Sequence, residues 1–108
     1  MPKKSIITEF EDISVFSGSP TEAHHHLCFG RGIRELAEAD GLWIPVTNSE
    51  HNMSPYGKTY QIHDNHMAEM LSKMLGQVAW EKHTMFQTGC NEHEAREFFR
   101  HRFGISYL

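Results

Sequence analysis

Basic charge is in short supply: ten Lys and Arg face fourteen Asp and Glu, a formal net charge of −4 with histidine neutral. A broad positive surface for nucleic acid is thereby excluded, and any phosphate contact has to be local. Apolar runs fall far short of the roughly 20 residues that cross a bilayer, and the start MPKKSIITEF has no signal-peptide apolar region. A cytoplasmic protein with no membrane segment is expected. Cysteine is limited to Cys28 and Cys90, far apart and unpatterned, which argues against a disulfide framework and against a thiolate zinc site. Buried, inert thiols are the expectation for both. No repeat, low-complexity tract or Gly/Ser linker divides the 108 residues, a length that suits a single domain over 1–108.

What the chain has in excess is histidine, nine in all, with His24, His25 and His26 consecutive. Neutral imidazole is the commonest metal ligand and the side chain best suited to proton transfer near pH 7. His83, His93 and His101 lie on polar or mixed helical stretches and are expected to be solvated. Residues 5–18 hold two short β-favouring pieces closed by SGSP, which suggests an irregular strand or hairpin. HHHLCF is extended, Ile33, Leu36 and Ala37 recur at helical spacing before the Asp40-Gly41 stop, and LWIPVT forms a second strand despite Pro45.

After a turn-rich loop over 52–61, Met67, Met70, Leu71, Met74, Leu75 and Val78 recur at three and four residues. The spacing predicts an amphipathic helix of about four turns, capped by Asp64 or Asn65, with its methionine stripe as core filler. A last helix starts at the NEHE capping box, Asn91 to Glu94, carries Ala95, Phe98, Phe99 and Phe103, and stops at Gly104.

Neighbouring strand residues point to opposite faces, so His25 and His26 need different jobs. At a strand end, one imidazole can hold a metal while the other activates a water beside it. His51, just past the second strand, and His63, at the entrance to the long helix, are the expected remaining ligands. By spacing alone, a His-rich surface and a purely structural His-ligated zinc site compete evenly with this arrangement.

The segments HHLCFGRGIRELAEADGLWIPV, HNM, IHDNHMAEMLSKMLGQVAWEKH and EAREFFRHRFGISYL together resemble the small HNH-type endonucleases of phages and prophages, over nearly the whole chain. The resemblance implies an α+β fold: a ββα-metal (HNH, His-Me finger) core with an additional C-terminal helix. It implies His25, His51 and His63 as ligands of one divalent metal ion and His26 as general base. DNA is the implied substrate, with a homodimer or a phage or host protein as partner for so small and acidic a domain. By ligand type, three imidazoles suit Zn, Ni, Co or Mn; Mg would need Asp64 or several waters.

The chain departs from the pattern where that family carries CxxC twice, having Ser14, Ser17, Thr47 and Glu50 instead, so no structural zinc held by four thiolates is expected. Hydrogen bonds among these four residues, or simple packing, are the expected substitute. No asparagine lies between His26 and the second strand, and Asn48 and Asn52 come too late, which leaves the residue that steadies the base unassigned. Arg31 and Arg34 are the candidates to face phosphate, with a solvated helical turn as the even alternative. Arg96, Arg100 and Arg102 form a locally basic stretch, read by default as a solvated face and alternatively as a backbone-contacting surface, and His24 is a bystander. The rival to an enzyme is a non-catalytic metal-binding or protein-interaction module of the same fold.

Overall fold

A computed structural model describes residues 3–53 and 62–108; residues 54–61 and the side chains of Asn52, Met53 and Asp64 lie outside the description. The chain is a mixed α/β protein: a two-stranded antiparallel sheet packed with helices. Strand β1 (Ala23–His26) pairs with β2 (Trp43–Val46), in the register Ala23 to Val46, His24 to Pro45, His25 to Ile44 and His26 to Trp43. Between them runs the short helix α1 (Arg34–Asp40). Its stop is the expected Gly41, at φ 74°, where a Cβ would also run into the Lys4 carbonyl oxygen. Only glycine meets both demands.

The amino-terminal segment lies along the free edge of β2. Ile6 N–H donates to the Gly41 carbonyl, Ser5 Oγ to the Trp43 carbonyl and Val15 N–H to the Pro45 carbonyl. Pro45 therefore sits where its missing N–H costs little. The hairpin expected over 5–18 reduces to one isolated bridge, Ile13 with Pro20, and a series of turns.

After β2 come a π-helical turn (Ser49–Met53), a 3-10 turn (Ile62–Asp64), helix α2 (His66–Thr88) and helix α3 (Glu92–Phe103). Asn65 caps α2, its side chain accepting from Ala68 N–H. The helix has 23 residues, not four turns: with no proline in the span it continues past Gly76 through Trp80 and Phe86 to Gly89. Its apolar stripe is also not core. Met67, Leu71, Met74, Leu75 and Val78 are exposed, while Ser72, Gly76, Gln77 and Glu81 are buried. The sheet end approaches the small residues: a Cβ on Gly76 would lie 2.8 Å from Cys28 Sγ and 2.9 Å from Leu27 Cβ. Contact that close requires the face with the least side chain, and it turns the methionines outward.

Helix α3 has the predicted capping box and stops at Gly104. Phe99 and Phe103 stack on each other and meet Trp80 of α2 edge-on, closing a core with Cys28, Ala37 and Leu42. A second cluster, Leu27, Ile44, Val46 and Ile62, lies under the sheet. Cys28 is buried as expected, whereas Cys90 is half-buried at the α2 to α3 junction.

Candidate metal centre and the hollow beside it

Strand alternation sorts the three consecutive histidines. His25 points inward and is fully buried, while His24 and His26 share the outer face. The π-helical turn after β2 presents His51 and the 3-10 turn before α2 presents His63. Ring centroids lie 5.2 Å apart for His25 and His51, 5.0 Å for His25 and His63, and 4.6 Å for His51 and His63. Each residue offers one nitrogen within 4.8 Å of the others. Nitrogens on one tetrahedral ion at about 2.0–2.1 Å stand roughly 3.3 Å apart, so closing on an ion takes shifts of about an ångström.

Hydrogen bonding determines which lone pairs are free. Ser72 Oγ–H donates to the Leu27 carbonyl at 2.8 Å, so its 2.8 Å contact with His25 Nε2 has the imidazole as donor. His25 Nδ1 is then a bare lone pair, buried and without a hydrogen-bond partner among the described residues. Glu69 lies 3.3 Å from His63 Nδ1, which makes that nitrogen the donor and leaves the lone pair on Nε2. His63 Nε2 meets His51 Nε2 at 2.9 Å, two basic nitrogens sharing one proton. An orphaned buried lone pair beside a second one is a donor set that fits a divalent cation.

Electrostatics agree. Burial first, then the neighbouring His63, His51 and His26, push the His25 pKa down to about 3. Burial, then His63, His26 and Arg34, also lower that of His51. His25 is thus an uncharged imidazole at any physiological pH, as a metal ligand would have to be. Phe29 packs edge-on against His63 and His25, and the Lys73 ammonium covers its ring at 4.6 Å.

On the outer face an open hollow of about 600 Å³ is lined by Glu22, His24, His26, Arg34, Glu38 and His51. His26 Nε2 lies 2.7 Å from Glu38 Oε2, and the Arg34 Nε–H donates to His26 Nδ1 at 3.5 Å. His51 belongs to both the cluster and the hollow. His24 stands outside the group of three imidazoles, and its ring stacks on Trp43 at 3.8 Å and 14°. Arg31 is exposed on the turn ahead of α1, outside the hollow's lining.

The four residues that stand where the resembled family carries thiolates do come together. Ser14 Oγ and the Thr47 N–H both donate to Glu50 Oε1, at 2.6 and 2.8 Å, and Ser14 Oγ accepts from Phe16 and Ser17 N–H. Burial alone would raise the Glu50 carboxyl, but hydrogen bonds from Ser14, the Thr47 backbone, Ser17 and the Thr47 hydroxyl hold it below its ordinary range. This network fastens the turn that carries His51.

The expected basic face of the last helix is absent as a free surface. Arg96 binds Glu81, Arg102 grips Asp40 with two bonds at 2.6 and 2.7 Å, and Arg100 pairs with Glu97. Each guanidinium thus has a carboxylate partner, and two of the three tie α3 to other helices. His93 and His101 are exposed and His83 is half-buried.

Three contributors escaped the sequence reading: Glu38, Glu69 and Ser72. The signal was there for two pairs, since Arg34 and Glu38 are four apart on α1, and Glu69 and Ser72 three apart on α2. Compared with protein-family models, with curated proteins and with solved structures, the chain matches none.

Proposed function

We propose that the protein is a divalent-metal-dependent endonuclease of the HNH type, with a ββα-metal core that hydrolyses DNA phosphodiester bonds and His26 as general base. The observation that carries this reading is the convergence of His25, His51 and His63 within 4.8 Å, with His26 in a hollow that His51 also lines. His25, His51 and His63 would hold the ion, which when bound supplies charge stabilisation to the scissile phosphate and the leaving oxygen.

The chain's own residues do the rest. Arg34, the cation beside His26, anchors a phosphate oxygen in the hollow. His26 Nδ1 takes the proton of a water as the water oxygen bonds to phosphorus, and the bond from phosphorus to the leaving oxygen breaks. That oxygen is then protonated by solvent. A Zn, Ni, Co or Mn ion suits the three imidazoles; Mg lacks oxygen ligands among the described side chains, which do not include that of Asp64.

Supercoiled plasmid incubated with each of Mg, Mn, Co, Ni and Zn tests the proposal. Nicking by the wild type, reduced about 100-fold or more in His26→Ala and His51→Ala, is expected. Cleavage that persists in His26→Ala overturns the assigned base, and no cleavage with any of the five ions overturns the nuclease.

A second reading, a non-catalytic metal-binding or interaction module, is favoured by the engaged arginines of α3 and the exposed apolar stripe of α2. It predicts metal binding without cleavage. A structural His-ligated zinc domain further predicts that chelation unfolds the protein.

A further inference from the structure

His26 stands between two groups that each permit one kind of hydrogen bond. A carboxylate only accepts, so the 2.7 Å contact of Glu38 with Nε2 requires hydrogen on that nitrogen. A guanidinium only donates, so the 3.5 Å contact of Arg34 with Nδ1 requires a lone pair there. Both neighbours select the same tautomer, and they sit one turn apart on α1, whose place is fixed by buried Ala37 and by Asp40. We propose that Glu38 is the positioning residue of the base. By accepting from Nε2–H it holds the His26 ring so that Nδ1 is basic and faces Arg34, the task left open by the missing asparagine.

This assignment rests on the nuclease reading for its catalytic meaning. When Nδ1 takes the proton from water, the imidazolium keeps Nε2–H on Glu38, whose oxygen lies 2.7 Å away and stabilises the new charge. Glu38 is 41 % exposed, so orientation contributes more than its screened charge. The phosphate held by Arg34 and the nitrogen that deprotonates the water then belong to one rigid group built on a single helix turn.

The test compares wild type, Glu38→Gln and Glu38→Ala. Long-range ¹H–¹⁵N correlation spectra of the metal-free proteins read the His26 tautomer. Wild type and Glu38→Gln, whose amide oxygen still accepts, are expected to carry hydrogen on Nε2, and Glu38→Ala to show a mixture. In plasmid nicking, kcat falls about 100-fold in Glu38→Ala and less in Glu38→Gln, with KM unchanged. Zn binding stays within about twofold in both, because neither variant touches His25, His51 or His63; a larger loss would assign Glu38 a structural role and overturn the proposal. An unaltered His26 tautomer in Glu38→Ala, or a kcat unmoved, also overturns it. If the wild type fails to nick with every ion, the nuclease reading falls alone, and the ring-nitrogen spectra still uphold or overturn the Glu38 assignment.

Discussion

His25 and His26 are adjacent in sequence and opposite in environment. One is sealed beneath the sheet with a bare Nδ1, and the other lines an open hollow between a carboxylate and a guanidinium. The period of two in a strand makes this division, so the separate jobs of the two rings were legible before any fold was known. The choice of proton-bearing nitrogen was not, because Ser72 and Glu38 act on the rings from 47 and 12 residues away. His25 also sets a pH dependence. Its folded pKa, near 3, lies below the ordinary 6.5, so the unfolded chain binds a proton that the folded one refuses. Stability is therefore full above about pH 6.5 and is lost as pH falls toward 3, by about 1.4 kcal/mol per pH unit. Urea unfolding of metal-free protein between about pH 7.5 and 4.5 checks this: His25→Gln is expected to flatten the slope, and parallel slopes would refute the assignment.

At the scale of elements, helix α2 is the instructive case. Apolar residues at three- and four-residue spacing identify a helix, but the same spacing does not say which side meets the core. Here the small face does, through Ser72 and Gly76 against Leu27 and Cys28, and the stripe of methionine and leucine stays in water. Gly76→Ala tests this directly. On an open helix the change would stabilise by about 1 kcal/mol; here the new methyl meets Cys28 Sγ at 2.8 Å and Leu27 Cβ at 2.9 Å. A net loss of about 1–3 kcal/mol is expected in thermal or urea unfolding. Met67→Lys, on the exposed stripe, is expected to change stability by less than about 0.5 kcal/mol. The opposite pattern would restore the stripe to the core. The network of Ser14, Ser17, Thr47 and Glu50 belongs to this scale too, because it joins the first turns to the turn after β2 and so places His51.

At the scale of the whole molecule, the three arginines of α3 are each engaged by a carboxylate. Asp40, the last residue of α1, accepts from Trp80 Nε1 of α2 and from Arg102 of α3, so one carboxylate fastens three helices. Asp40→Ala leaves a half-buried indole N–H and a guanidinium without their partner. A loss of about 1–3 kcal/mol is expected, read as a drop in Tm of several degrees. Zn affinity, measured by calorimetry, should not change, because the bonds of Asp40 run to Trp80 and Arg102 and not to any of the three imidazoles. Linked losses of stability and affinity would show instead that the clasp and the metal centre form one cooperative unit.

Sequence alone determined the order of the two strands and three helices, a cap at Asp64 or Asn65 and one at Asn91, the glycine stops at 41 and 104, and the four histidines placed at a strand end, after a strand and before a helix. These are local properties, set by backbone preference and by spacing along a few residues. Tertiary packing decided the buried face of α2, the pairing of the α3 arginines and the partners Glu38, Glu69 and Ser72. Each of those depends on a distance between side chains from separate elements, and such distances exist only once the helices have packed against the sheet.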